Sequence, residues 1–376
     1  MKFLHTSDWH LGRALHGTSL LVHQRDQLRW LVELALERNV DAVLVAGDVY
    51  DRAVPPTDAV ALLDEALSSL SGAGIPVVLT SGNHDSAIRL GFGGSLAASA
   101  GVHLRTRLAE LAEPVLIGDV GVYGIPYLLP DAVMGELATE RSHQAVLAAA
   151  TARIRQDAAR RGIDKIVAVA HAFVTGGTAA ESERDIRVGG ISDVPASVFS
   201  GLTYVALGHL HGAQQVAPNA RYSGSPLTFS FSERHHRKSV TLVDIAADGS
   251  VSCELVPTPV PHPMHELRGR LDDLLADPAG PPAAAWLKVV LTDPHRPVAP
   301  MERLRKRWPN TLVLDSQPDT AQGDAADDLV RLRGVSDPIE ICSLFVEWVD
   351  STYPDNAQRE VLHGAVEAVR RAEVSA

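Results

Sequence analysis

The sequence predicts an α/β fold in which parallel strands are covered on both faces. Five short runs rich in Val, Ile and Leu lack the polar alternation of a half-exposed strand, which is typical of strands buried on both sides. Stretches with apolar residues at helical spacing separate several of these runs. Each run also leads into Asp, Asn or His, which indicates a site along one rim of the sheet.

The candidate site residues follow the five runs in chain order. The first three runs are KFLHTSDWH with Asp8 and His10, DAVLVAGD with Asp48, and IPVVLTSGNHD with Asn83, His84 and Asp85. The last two runs are DKIVAVAH with His171, and LTYVALGHLH with His209 and His211.

Helical periodicity predicts three helices between the strands, over residues 24–38, 57–70 and 145–160. The second helix is expected to bury Val60 together with Leu63 and Leu70. Strand, crossover helix and parallel strand is the usual order in such folds. From residue 221 to 256 the pattern changes to short strands joined by an Asp-Gly turn, which predicts a hairpin.

Four prolines between residues 257 and 266 resist both helix and central strand, so they predict a domain boundary. We expect a site-bearing domain over 1–258 and a small α/β capping domain over 259–320, beginning with a helix over 265–275. A loop rich in Asp, Ala and Gly predicts a mobile linker over 321–336. The tail, 337–376, is expected to form two helices. The first has a dense apolar face, made of Ile341, Leu344, Phe345, Trp348 and Val349.

Composition limits the possible environments and partners. No apolar stretch is long enough to span a bilayer, and the two distant cysteines, Cys253 and Cys342, predict a reducing cytoplasm rather than a disulfide framework. The net charge of −12 argues against a nucleic-acid partner unless local patches decide. Basic residues close in sequence to the candidate site are therefore predicted phosphate contacts. They are Arg184, Arg187, Arg234, Arg237 and Lys238.

The candidate ligands offer oxygen and nitrogen but no thiolate, which suits Mn²⁺, Fe²⁺ or Zn²⁺. One division places Asp8, His10, Asp48 and His211 around a first metal ion. A second ion is then held by Asp48, Asn83, His171 and His209, with Asp48 bridging. Paired metals of this kind are typical of phosphoester hydrolysis. We expect His84 to act in catalysis on the phosphate, with Asp85 holding its ring.

The pattern DxH, GD, GNHD, H and GHxH, from Asp8 to His211, resembles the calcineurin-like metallophosphoesterases. That resemblance implies a sandwich of sheets flanked by helices. The segments TSDWHLG, GDVYD, SGNHDS, HAFVTGG and YSGSPLTFSFSE further resemble the SbcD family, the nuclease subunits of bacterial SbcCD complexes.

The SbcD resemblance implies two Mn²⁺ ions, exonuclease action on duplex ends and endonuclease action on hairpins or single strands, in DNA replication, recombination and repair. It also implies a homodimer within a heterotetramer, completed by the ATPase SbcC bound at the helical tail. Two alternatives use the same residues. One is a phosphodiesterase or phosphatase acting on small molecules, and the other is a metal-bound scaffold without catalysis.

Overall fold

The computed structural model describes residues 1–183, 194–318, 335–350 and 352–374. The chain divides into two units, Met1–Pro261 and His262–Ala376. The sequence placed this boundary after residue 258. Within the described ranges, no helix has the length and apolar character needed to cross a membrane.

Among its described residues, the first unit contains fourteen strands, two of which form a minor hairpin. In chain order they are β1 (Lys2–Thr6), β2 (Ala14–Leu15), β3 (Thr18–Ser19), β4 (Ala42–Ala46), β5 (Val77–Thr80), β6 (Val102–Arg105), β7 (Val115–Ile117), β8 (Val120–Ile125), β9 (Lys165–His171), β10 (Tyr204–Gly208), β11 (Gln214–Ala217), β12 (Ala220–Tyr222), β13 (Ser239–Ile245) and β14 (Val251–Pro257).

Its α-helices flank these strands. They are α1 (Leu21–Glu37), α2 (Thr57–Gly72), α3 (Ala87–Leu90), α4 (Gly94–Ala98), α5 (Pro130–Leu137) and α6 (His143–Arg161). Short 3₁₀ turns lie at Leu108–Ala112, Ala196–Phe199 and Phe231–Glu233.

Two six-stranded sheets form the centre of this unit, ordered β14-β13-β1-β4-β5-β6 and β11-β12-β10-β9-β8-β7. The inner strands β1, β4 and β5 of one sheet, and β8, β9 and β10 of the other, run parallel within each sheet. β4 is buried along its whole length and β9 along all but its first residue, which explains their uninterrupted apolar sequence.

Three apolar clusters show the layering. One joins α1 and α2 to the outer face of the first sheet, and another joins α6 to the outer face of the second sheet. The third lies between the sheets and includes Phe3, Leu44, Val78, Val167 and Val169. The predicted sandwich of sheets flanked by helices is therefore confirmed.

A buried histidine joins the two sheets. His5 in β1 is fully buried, and burial lowers its pKa to about 3, so its ring is neutral. Its Nε2–H donates to the carbonyl oxygen of Leu207 at 3.1 Å. Its Nδ1 then accepts from the hydroxyl of Tyr204 at 3.0 Å. Both partners belong to β10, so β1 and β10 are held in fixed register across the core.

Helix α2 corrects one detail of the sequence prediction. Val60, expected on the buried face, is 45% exposed, whereas Ala59 and Leu62 are buried beside Leu63 and Leu70. The buried stripe of α2 therefore includes Ala59 and Leu62 in place of Val60.

The second unit contains a three-stranded parallel sheet and four α-helices within the described ranges. The elements are β15 (Met264–Gly269), α7 (Leu271–Ala276), β16 (Trp286–Leu291), α8 (Pro300–Arg307), β17 (Thr311–Ser316), α9 (Pro338–Asp350) and α10 (Asn356–Val374). The sheet order is β15-β16-β17, and its core includes Leu271, Leu287, Val289 and Trp308.

The predicted helix over 265–275 is wrong in its first half. Residues Met264–Gly269 form β15 and pair with β16 along six residues, and the helix begins only at Leu271. Met264, His265, Glu266 and Leu267 are compatible with a helix by propensity, but the backbone hydrogen bonds to β16 override that weak preference. Most of the linker predicted over 321–336, namely residues 321–334, lies outside the described residues.

Candidate metal centre

The predicted ligands come together at the carboxyl ends of five strands. β1 leads to Asp8 and His10, and β4 leads to Asp48. The other three strands supply the remaining ligands. They are β5 with Asn83, β9 with His171, and β10 with His209 and His211. The sequence predicted one rim of one sheet, but β9 and β10 belong to the second sheet. The site therefore lies where the rims of two packed sheets meet.

The backbone at this site is strained in a consistent way. Asp8, His10 and Asp48 have φ values of 53°, 43° and 48°, and His209 has 109°. Positive φ is uncommon for residues with a Cβ atom and is maintained only where the surroundings enforce it. In each case the chain turns sharply off the end of its strand, so the side chain is directed into the site instead of continuing the strand's alternation.

Two glycines of the motifs allow the strand ends to approach closely. A Cβ atom on Gly82 would overlap the Asp48 carboxylate, and one on Gly208 would overlap the carbonyl oxygen of Ala46. The glycine before Asn83 and the glycine before His209 are thus required by space. Gly82 thereby brings together the loops after β4 and β5 of the first sheet, and Gly208 brings β10 of the second sheet against β4 of the first.

The first predicted ligand group is tightly packed. The Nε2 atoms of His10 and His211 are 3.2 Å apart, and Nε2 of His10 lies 3.6 Å from Oδ2 of Asp48. Asp8, His10 and His211 offer donor atoms that all lie within 4.8 Å of one another. All four side chains are buried.

The second predicted group shares Asp48 with the first. Oδ1 of Asn83 lies 2.9 Å from Nε2 of His171 and 3.2 Å from Nδ1 of His209. Nε2 of His171 is 3.5 Å from Oδ2 of Asp48. The same Asp48 oxygen therefore faces histidines of both groups, as expected of a bridging ligand. His84 also approaches it, with Nε2 at 3.9 Å.

Hydrogen bonds outside the site fix the direction of two histidine lone pairs. Nδ1 of His171 lies 3.0 Å from the carbonyl oxygen of Ala46, and Nδ1 of His211 lies 2.9 Å from Oε1 of Glu233. Because each acceptor requires a proton on Nδ1, each Nε2 presents a lone pair to the interior. This is the usual arrangement of histidine ligands to a metal.

The protonation states also fit a cation. Burial, reinforced by the neighbouring Asp48 charge, raises the pKa of Asp8 well above its usual value. Burial lowers the pKa of His10 and His209 well below the ordinary value, and it lowers those of His171 and His211 in the same direction. Neutral imidazoles facing two crowded carboxylates form a donor set that divalent cations complete, since a cation relieves the repulsion between the carboxylates.

The roles predicted for His84 and Asp85 need one correction. Asp85 does not hold the His84 ring. Its carboxylate accepts from the backbone amides of Val49 at 3.1 Å, Tyr50 at 2.8 Å and Gly82 at 2.8 Å. It therefore ties the loop after β4 to the loop after β5.

The His84 ring is held instead by the backbone of Asp51, whose carbonyl oxygen lies 2.8 Å from Nδ1. His84 and Asp85 are consecutive residues at a turn, so their side chains point in different directions and do not meet.

Lys238 is a second correction. It was predicted to contact phosphate, but it is 5% exposed and its ammonium donates to Glu233 at 2.5 Å. Arg234 and Arg237 are exposed, as a surface contact requires. Arg184 and Arg187 lie outside the described residues.

Sequence reasoning missed several residues that surround the ligands. Arg13 lies 3.4 Å from the Asp51 carboxylate and donates to the carbonyl oxygen of Ser182 at 3.1 Å. Glu183 accepts from the backbone amide of His211 at 2.6 Å. Glu233 belongs to the segment YSGSPLTFSFSE, one of those that carry the family resemblance. Its place in that segment is the sequence signal that could have identified it.

Comparison with known proteins agrees with this geometry. The family model described as calcineurin-like phosphoesterase matches residues 1–213, and one described as type 5 capsule protein repressor C-terminal domain matches residues 260–347. The chain is 31% identical over 323 residues to the SbcD subunit of the nuclease SbcCD from Staphylococcus saprophyticus, covering 84% of this chain and 85% of that protein.

Two solved structures are more distant. A dimetal phosphatase from Danio rerio has a TM-score of 0.43 at 13% identity, covering 68% of this chain and 96% of that one. The Thermus thermophilus protein TT1561 has a TM-score of 0.41 at 14% identity, covering 68% and 98%. The family matches over the site-bearing unit and the curated relative over most of the chain decide the assignment. The chain therefore belongs to the calcineurin-like phosphoesterase family, within the branch of the SbcD nuclease subunits.

Proposed function

We propose that this chain is a DNA nuclease that hydrolyses phosphodiester bonds with two divalent metal ions, Mn²⁺ in preference to others. The observation that carries the proposal is the convergence of seven buried or half-buried donor side chains from two sheets, with neutral imidazoles turned inward. When bound, the ions would supply a water of lowered pKa as nucleophile and offset charge on the phosphoryl oxygens.

The donor set supports a division into two positions. Asp8, His10 and His211 would hold one ion and Asn83, His171 and His209 the other, with Asp48 shared. The absence of thiolate ligands in this set favours Mn²⁺ over a structural zinc ion.

His84 is suited to act on the phosphate. Its Nδ1 is engaged by the carbonyl oxygen of Asp51, so Nε2 is the free end of the ring and faces the interior near Asp48. Protonated at Nε2, it would donate to a phosphoryl oxygen or to the leaving oxygen of the cleaved strand. Asp85 supports this indirectly, by fixing the loop that carries His84.

The substrate we propose is DNA, cleaved from duplex ends and within hairpins or single strands during replication, recombination and repair in the cytoplasm. Arg234 and Arg237 are exposed in the segment just beyond the last ligands. With a net charge of −12, such local patches and a partner protein must supply most of the attraction to phosphate.

The proposed partners are the ATPase SbcC and a second copy of the chain. On α9, Phe345 and Trp348 are 59% and 60% exposed, which supports docking of SbcC on this apolar face. Ile88 on α3, Phe92 in the turn after it and Leu96 on α4 are 80–88% exposed at spacings of four residues, which supports pairing of two copies there.

The test is digestion of end-labelled duplex, hairpin and single-stranded DNA by purified protein, alone and with SbcC, across a panel of metals. A small chromogenic phosphodiester serves as the comparison substrate. Activity confined to the small substrate would favour the alternative of a small-molecule phosphodiesterase or phosphatase. No activity on any substrate with metal bound would favour the scaffold.

A pair of charge-reversed variants separates substrate binding from chemistry. Arg234→Glu with Arg237→Glu should weaken DNA cleavage and reduce its salt dependence, because two phosphate contacts are lost, while cleavage of the small phosphodiester is kept. Arg29→Glu with Arg38→Glu on α1 and its C-terminal end makes the same change in net charge and is the matched control. Equal losses in both pairs would show that only overall charge matters.

The docking proposal is tested by Phe345→Asp with Trp348→Asp in co-elution with SbcC. The matched control is Leu116→Asp, which changes a side chain of similar exposure, 63%, in the first unit. We expect the tail variant to lose co-elution while keeping metal-dependent nuclease activity. Retention of SbcC by the tail variant would contradict the proposal.

A further inference from the structure

A buried carboxylate outside the ligand set is hydrogen-bonded to one of the predicted ligands. Glu233, at the end of the 3₁₀ turn Phe231–Glu233, is fully buried. Its Oε1 accepts from Nδ1 of His211 at 2.9 Å and from the hydroxyl of Ser182. Its Oε2 accepts from the backbone amide of Phe229 at 3.2 Å and from Nζ of Lys238 at 2.5 Å. Both carboxylate oxygens are therefore fully used.

Lys238 completes the arrangement. Besides Glu233, its ammonium donates to the hydroxyl of Ser225 at 2.8 Å and to the carbonyl oxygen of His211 at 3.0 Å. All three of its protons are used. Burying such an ion pair is costly, and replacing it by apolar side chains is often neutral or stabilising. Stability alone therefore does not account for its presence beside the metal centre.

The pair acts on His211 at two points. Glu233 holds the ring through Nδ1, and Lys238 holds the backbone through the carbonyl oxygen. The carboxylate of Glu233 accepts from Nδ1 of His211 on one oxygen and from the ammonium of Lys238 on the other. A carboxylate acceptor at this position fixes the proton on Nδ1 and makes the opposite nitrogen a stronger ligand.

The ring of His171 is oriented by a different kind of acceptor from that of His211. Its Nδ1 is bonded to the backbone carbonyl of Ala46, a neutral acceptor that no side-chain substitution removes. His211 and His171, one from each predicted metal position, thus differ in what orients their rings. His211 depends on a carboxylate supplied by a separate segment, and His171 depends on the backbone of β4.

We propose that Glu233, held in place by Lys238, is a positioning residue that selects the Nδ1–H tautomer of His211 and thereby sets the affinity of the metal position that His211 serves. The inference deepens the metal centre on which the proposed function rests. Ser182 and Glu183 bind to the same histidine, so they share in the positioning without carrying a buried counter-ion.

The test compares two double variants that leave no buried charge unpaired. Glu233→Ala with Lys238→Met removes the carboxylate, whereas Glu233→Gln with Lys238→Met keeps a neutral oxygen for Nδ1. Mn²⁺ binding to the full-length protein is measured by calorimetry, and the ¹⁵N resonances of His211 report its tautomer before metal is added. Thermal melting of each metal-free protein is followed in parallel.

We expect the alanine variant to bind one ion about 10- to 100-fold more weakly, as is typical when such an outer partner is lost, with the other ion unaffected. Its His211 should lose the pure Nδ1–H tautomer, and the glutamine variant should recover most of the affinity. Unchanged affinity and tautomer in the alanine variant would overturn the proposal. Equal weakening of both ions, with a lower melting temperature and no recovery by glutamine, would assign Glu233 a general structural role instead. Because no nucleic acid is used, either result is independent of whether the protein proves to be a nuclease.

Discussion

Asp48→Asn tests the shared ligand directly. The asparagine side chain keeps the shape of the aspartate. Its oxygen can still accept from the backbone N–H of His84, which in the wild type lies 2.9 Å from Oδ1 of Asp48. What it removes is one negative charge, placed 3.6 Å from the His10 nitrogen and 3.5 Å from the His171 nitrogen. Any cation held by either ring would lie close to this oxygen.

The expected loss of Mn²⁺ affinity follows from the short distance between the Asp48 charge and a cation bound at either ring. A unit charge about 4 Å away, in surroundings with an effective dielectric constant of about 20, contributes about 4 kcal/mol. Since about 1.4 kcal/mol is a factor of ten, Mn²⁺ affinity should fall at least about a thousand-fold at each of the two positions. Hydrolysis should be abolished at Mn²⁺ concentrations that saturate the wild type.

The metal-free protein should respond in the opposite direction. Burial and the charge of Asp48 together raise the pKa of Asp8, so the two carboxylates repel each other when no cation is present. Asp48→Asn removes that repulsion, and the metal-free variant should melt at the same temperature as the wild type or higher. The stabilisation that the wild type gains on adding Mn²⁺ should be lost, because it depends on binding to the folded state.

Calorimetry with Mn²⁺, metal content by mass spectrometry, and melting curves with and without EDTA check all three expectations. Asp26→Asn changes an exposed carboxylate on α1, away from the ligand set, and is the control. Retention of two tightly bound ions by Asp48→Asn would refute the shared-ligand reasoning. A metal-free variant that melts well below the wild type would show that Asp48 stabilises the fold by itself.

Three further predictions follow from single contacts. His84→Gln should keep both ions in metal analysis yet lose about 10²–10⁴-fold in turnover, since it removes a proton-transfer group, and loss of an ion would make His84 a ligand instead. Gly208→Ala should lower the melting temperature and weaken metal binding, because its methyl group would overlap the carbonyl oxygen of Ala46, whereas Gly249→Ala at an open turn should leave metal binding intact. Burial and Asp48 raise the pKa of Asp85 from 3.8 to about 7, so metal-free wild type should lose stability relative to Asp85→Asn as the pH rises from about 4 to about 7. Denaturant titrations in EDTA measure that difference, and a difference independent of pH would contradict it.

The fold was predictable because each local signal agreed with the next. β4 and β9 are apolar along their length since both faces are covered, and the ligand residues stand where strands must end. What the pattern could not reveal was that the runs belong to two sheets. Strand pairing is a long-range property, and the sequence of β9 has no feature that distinguishes it from a strand of the first sheet such as β4.

The parts that failed depend on contacts distant in sequence. Lys238 looks like its basic neighbours, but its ammonium is buried against the carbonyl oxygen of His211 and the hydroxyl of Ser225, which are 27 and 13 residues away. Asp85 was assigned to the ring of its neighbour, because proximity in sequence was the only guide, while two of its true partners lie 36 and 35 residues away. The strand at Met264–Gly269 was hidden for the same reason, since its pairing with β16 outweighs local preference.

The imidazole of His5 has a consequence for how substrates could gain access to the ligands. Sliding one sheet over the other would widen the space between Asp8 and His209, but it would first break both hydrogen bonds of a ring that no solvent reaches. Leaving one polar group unpaired in such an interior costs about 1–3 kcal/mol, and this movement would break two hydrogen bonds. The predicted metal ligands are therefore held rigidly by the packed sheets, and any change that admits or rejects a substrate must come from the loops around them or from a partner that covers those loops.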